Sequence, residues 1–152
     1  MLTTSKPSRL KFRAFVLGAA LFGAACGANL APVLNVNHAP LAGTPAGTDP
    51  SAHAHDAILR AVRSRGWTVA ADAPGVVTAS IEKGDLKATV DIPYTATDYS
   101  VIHKASSPAL KFDGTRIHKH YNLWVDRLRT SINEELSRAS SVPAAPPAKP
   151  TT

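Results

Sequence analysis

Cysteine is almost missing from this chain: Cys26 is the only one in 152 residues. A single thiol excludes an internal disulfide framework and any zinc site built on cysteines. Aromatic residues are sparse, with 2 Trp, 3 Tyr and 4 Phe. No apolar run approaches the roughly 20 residues of a membrane-spanning helix. The chain also lacks the G-x-S-x-G turn of serine hydrolases and the H-E-x-x-H of zinc proteases. Positive charge is in excess, 17 Lys and Arg against 11 Asp and Glu, a net of +6. Its placement removes its apparent meaning. Lys6, Arg9, Lys11 and Arg13 crowd the first 13 residues, where there is no acid. Beyond them 13 basic residues face 11 acidic ones, and no cluster has the footprint that nucleic-acid binding requires.

The basic start is followed by residues 14–25, AFVLGAALFGAA, a short uncharged apolar run. A positive segment, an apolar stretch and small residues behind it predict a signal peptide over 1–25. Gly23-Ala24-Ala25-Cys26 resembles the lipobox of bacterial lipoproteins, with Gly23 where Leu is common. The resemblance implies cleavage before Cys26, acylation of that residue with palmitate-type chains, and membrane attachment through those chains. Gly27, where Asp would retain a lipoprotein in the inner membrane, favours the outer membrane and a periplasm-facing domain. The alternative is ordinary signal cleavage and a soluble periplasmic or secreted protein.

Residues 26–50 carry four Pro and little charge. Without periodicity such a segment offers little apolar surface to offset its ordering entropy, so a disordered Pro/Gly/Ala tether is expected there, spanning roughly 25–30 Å as a coil. Residues 139–152, ASSVPAAPPAKPTT, predict a disordered Pro/Ala-rich tail. Between them, residues 51–138 suit one α+β domain. Ala54, Ala57, Ile58, Ala61 and Val62 form a helical stripe, with Asp49 or Ser51 as cap and Gly66 as stop. Trp67 and Val69 begin a short strand. Val77, Ala79 and Ile81 alternate with polar residues, as do Leu86, Ala88, Val90 and Ile92 beyond the Lys83-Gly84-Asp85 turn, which predicts a hairpin with one buried face. A further strand follows at 99–103, then an irregular loop at 105–117. Tyr121, Trp124, Val125, Leu128, Ile132 and Leu136 trace a second helix from about His118 to Ser137. The expected architecture has two layers, α-β-β-β-α. An antiparallel sheet of three to four strands carries both helices on one face and leaves the other open.

Several segments together resemble a family of small uncharacterised bacterial lipoproteins. They are Arg65-Gly66-Trp67, Ile92-Pro93-Tyr94, Asp98-Tyr99-Ser100-Val101, Ile117-His118 and Tyr121-Asn122-Leu123-Trp124. The likeness covers about residues 57–136 and departs at Ser106–Phe112. It implies an envelope location and an α+β fold, and no activity.

Candidate sites are few. His53-Ala54-His55-Asp56 and His118-Lys119-His120 invite a metal, but an i, i+2 spacing turns two imidazoles to different faces of a helix, and zinc wants three or four ligands. Neither a metal nor a cofactor is expected. Trp67 and Trp124 fall on apolar stripes and read as core. Tyr94, Tyr99, His118, Tyr121 and Asn122 gather near strand ends and the start of the last helix. They either line a shallow polar site on the 94–117 loops or fix a structural corner. The reading is a non-enzymatic, membrane-anchored envelope module that binds an envelope partner through its open sheet face or those loops, and not nucleic acid. The alternative is a soluble periplasmic metal-binding protein or small enzyme using the His-rich loops.

Overall fold

A computed structural model describes residues 29–140; the expected signal peptide over 1–25, Cys26 and the part of the expected tail beyond 140 lie outside the described residues. The elements run β1 (Leu30–Pro32), β2 (Val36–Pro40), α1 (Pro50–Ser64), β3 (Thr68–Ala73), β4 (Val76–Lys83), β5 (Leu86–Pro93), β6 (Asp98–Ser106), a 3-10 turn (Pro108–Leu110), β7 (Arg116–His118) and α2 (Lys119–Ser140).

Local chemistry explains α1. The Asp49 carboxylate accepts from the Ser51 amide at 2.9 Å, and Pro50 occupies the first turn, where its missing N–H costs nothing. The helix ends where Gly66 turns left-handed, φ +72°. The Trp67 amide then donates to the Val62 carbonyl at 3.0 Å and the Gly66 amide to the Arg63 carbonyl at 3.1 Å, a Schellman closure. Gly66→Ala is expected to destabilise the domain by about 1 kcal/mol, because a Cβ resists that φ. A urea titration checks this; an unchanged midpoint would mean that the turn relaxes.

The predicted hairpin forms in register. Val77, Ala79 and Ile81 stand opposite Ile92, Val90 and Ala88, all buried. Strands β2-β6-β5-β4-β3 make one antiparallel sheet, and β1 pairs with β7 in a second. Tyr121, Val125, Leu128, Ile132 and Leu136 of α2 are fully buried, as are Ala54, Ala57, Ile58, Ala61 and Val62 of α1. The helices run antiparallel: Arg60 pairs with Glu135 at 3.0 Å, and Arg65 donates to Ser131 one turn earlier on α2. The α+β class with flanking helices is as the sequence predicts, with five strands plus two in place of three to four.

The expected tether is different. Residues 30–40 form β1 and β2 and close the free edges of β7 and β6. Val33, Leu34, Val36, Ala39 and Leu41 pack against the core. An open β6 edge would leave a row of unpaired backbone groups, and this segment covers it. Its proline content is compatible with that role, since Pro40 ends an edge strand. A one-residue bulge centred on His38, φ +48°, lets the His38 amide reach the Ser100 hydroxyl at 3.0 Å. Likewise the region expected as loop, 105–117, contains the end of β6, the 3-10 turn and β7.

Candidate functional site

The residues singled out in the sequence separate into two ends of the molecule. At the start of α2, Asn122 works as a substitute strand. Its Oδ1 accepts from the Leu34 amide at 2.9 Å and its Nδ2 donates to the Pro32 carbonyl at 2.8 Å. It thereby fastens the segment joining β1 to β2, a partner the sequence reading did not consider. His118 Nδ1 accepts from the His120 amide at 3.3 Å, a long cap. Partial burial, then the charges of His120, Lys119 and Lys111, hold the His118 imidazole below its usual pKa. Tyr121 is fully buried, and its hydroxyl has no partner among the described residues.

Tyr94 and Tyr99 belong to the other end. They face each other as a single bridge. Tyr94 stacks on His55 near the start of α1, ring centroids 5.5 Å apart. Tyr99 crosses the core from β6 and donates to Asn133 Oδ1 on α2 at 2.7 Å. Burial pushes its phenol up to about 12, against a smaller opposing pull from Arg129. The five residues therefore do not share one site.

The histidine pairs are equally separated, one at the start of α1 and one at the start of α2. His55 binds Asp72 at 2.8 Å, while His53 is buried with its Nε2 unpartnered among the described residues. Among the described residues no three His, Cys, Asp or Glu side chains converge as a metal site.

On the open sheet face the polar groups satisfy one another. Thr78 donates to Asp91 at 2.6 Å, and Lys104 binds the same carboxylate at 2.9 Å. Burial opposes ionisation of Asp91, but these two partners outweigh it and hold the carboxyl below its usual range. Ser80 meets Thr89 at 2.9 Å, and Glu82 meets Lys87 at 2.7 Å.

A histidine that the sequence reading passed over sits on β6. The extra residue Lys104 bulges the strand, so His103 and Ser106 both turn to the side of Val90 and Ala88, and Nε2 lies 3.1 Å from the Ser106 hydroxyl. The ring packs on Phe112 at 4.2 Å and edge-on to Tyr121 at 5.2 Å. Burial keeps it below the usual imidazole pKa.

A half-open cleft lies where the end of α1, the end of β4 and the second and third turns of α2 meet. It encloses about 280 Å³. Trp67, Ile81 and Trp124 supply its apolar wall, and Arg65, Lys83 and Arg127 its charged rim. The Schellman turn sets Arg65 and Trp67 side by side. Trp124 lies nearly parallel to His120, at 16° and 6.4 Å. Trp67 is core, as the sequence predicts, while Trp124 is half-buried. The available signal was the Arg at i+3 from Trp124, a charge following an aromatic at the margin of the apolar stripe.

No protein-family model matches the chain, and neither the curated proteins nor the solved structures contain a match to it.

Proposed function

We propose that the protein is a lipid-anchored module of the bacterial envelope, held to the membrane through Cys26 and facing the periplasm, which binds a partner and does not transform a substrate. The observation that supports this most is how close the fold begins to Cys26. The Asn29 carbonyl accepts from the first amide of α2, Lys119, at 2.8 Å. Only Gly27 and Ala28 stand between Cys26 and Asn29, three residue steps with a reach of about 10 Å at full extension. The domain would then rest against the bilayer, without the long tether expected from composition.

The end near Asn29 suits such a surface. Phe112 and Leu123 are the large hydrophobic residues left exposed among the described ones, at 39% and 42%. They stand beside Lys111 and Lys119, which suits an anionic headgroup layer. Outer-membrane placement rests on Gly27.

The anchor is tested in cells fed labelled palmitate. Label is expected on the wild-type chain and absent from Cys26→Ser, which should leave the membrane fraction. Label that survives the substitution would refute the anchor.

A further inference from the structure

We propose that the cleft between Trp67, Trp124, Arg65, Lys83 and Arg127 is a binding site for a phosphate-bearing ring ligand, a sugar phosphate in chemical class. This is independent of the lipid anchor, because the cleft is built wholly from the folded domain.

The charge distribution carries the argument first. On the open sheet face Lys104 and Lys87 are matched by Asp91 and Glu82. At the cleft, Lys83 and Arg127 are exposed and have no acidic partner among the described residues. Arg65 is shared with Ser131 and with Glu134, the latter at 3.7 Å. Lys83 and Arg127 therefore leave two uncompensated positive charges at the rim of one small concavity, which focus a positive potential into it. An anion entering the cleft would supply the acidic partner that Lys83 and Arg127 lack among the described residues. The Arg127 guanidinium fork and the Lys83 ammonium together suit the several oxygens of a phosphate dianion better than the two of a carboxylate.

The wall carries the second part. Trp124 offers an indole that is only half-buried, and Ile81 and Trp67 extend the apolar surface behind it. A ring with an apolar face can lie on that surface while its phosphate reaches the rim. The volume, about 280 Å³, is just under the roughly 300 Å³ at which drug-sized pockets begin, which is room for a single ring. The site is also held in shape before a ligand arrives. Arg65 is the cap residue of α1, and Trp124 sits on α2 against His120.

The chain's 2 tryptophans both line the cleft, so tryptophan emission reports on it directly. Purified full-length chain in detergent is titrated with glucose 1-phosphate, inorganic phosphate and glucose. Glucose 1-phosphate is expected to change the emission saturably, and to bind at least about tenfold more tightly than inorganic phosphate or glucose, with affinity falling as salt rises. Lys83→Ala and Arg127→Ala should each weaken it about tenfold or more. Both side chains are exposed, so circular dichroism should stay unchanged. Lys104→Ala, on the open sheet face, should bind as the wild type does. No saturable change at millimolar glucose 1-phosphate would overturn the proposal. So would equal affinity for glucose or for inorganic phosphate, or full binding by folded Lys83→Ala and Arg127→Ala chains.

Discussion

Asn122→Ala is expected to destabilise the domain by about 2 kcal/mol and to release residues 29–41 from its edge. The substitution removes one acceptor and one donor at once. It leaves the half-buried Leu34 amide without its partner and the Pro32 carbonyl to water. The segment has other attachments. Asn35 Oδ1 accepts from the His103 amide at 2.9 Å, and His38 reaches Ser100. The released state should therefore be a local opening with α1, α2 and the central strands intact. Urea unfolding gives the energy, and hydrogen exchange shows where it is lost: amides of β1 and β2 should lose protection first. Asn122→Asp keeps the acceptor for Leu34 but sets a carboxylate against the Pro32 carbonyl, so it should not restore the wild-type midpoint. Unchanged protection of residues 29–41 in Asn122→Ala would show that Asn122 is not their fastening.

The two buried tyrosines are expected to respond oppositely to loss of a hydroxyl. Tyr99→Phe should destabilise by about 1 kcal/mol, because its hydroxyl donates to Asn133. Tyr121→Phe should be neutral or stabilising by up to about 1 kcal/mol, because its hydroxyl is buried without a partner among the described residues. Burial raises both phenols. A phenol raised in the folded state keeps its proton at a pH where the unfolded chain has lost it, so ionisation favours unfolding. The contribution of Tyr99 is thus whole below about pH 10 and is lost as the pH rises toward about 12. Urea midpoints measured from pH 8 to 11.5 should fall more gently for Tyr99→Phe than for the wild type. Parallel curves would place the alkaline loss elsewhere.

Much of the fold is legible in the residues. The α1 stripe is read directly from Ala54, Ala57, Ile58, Ala61 and Val62, since burial at helical spacing needs no distant partner to be recognised. Gly66 marks its end for a local steric reason. The β4–β5 hairpin follows from two-residue alternation on either side of a tight turn. The five expected site residues are less legible. Their positions in sequence place Tyr94 and Tyr99 near Tyr121 and Asn122, but the antiparallel helices carry Tyr99 to Asn133 and Tyr94 to the start of α1. Asn122 fastens the start of α2 not to the 94–117 loops but to Pro32 and Leu34, about ninety residues earlier.

The sequence alone determined the periodic elements and the α+β class, because helix stripes, strand alternation and caps depend on neighbours a few residues away. The tertiary structure decided the fate of residues 29–41 and the identity of the cleft. A short, proline-containing segment has no local reason to be a strand. It becomes one because β6 and β7 present unpaired edges and because Asn122 and Asn35 supply hydrogen bonds from far along the chain. The cleft arises in the same way, since Trp67, Lys83 and Arg127 are strangers in sequence until the ends of α1 and β4 are packed against the early turns of α2.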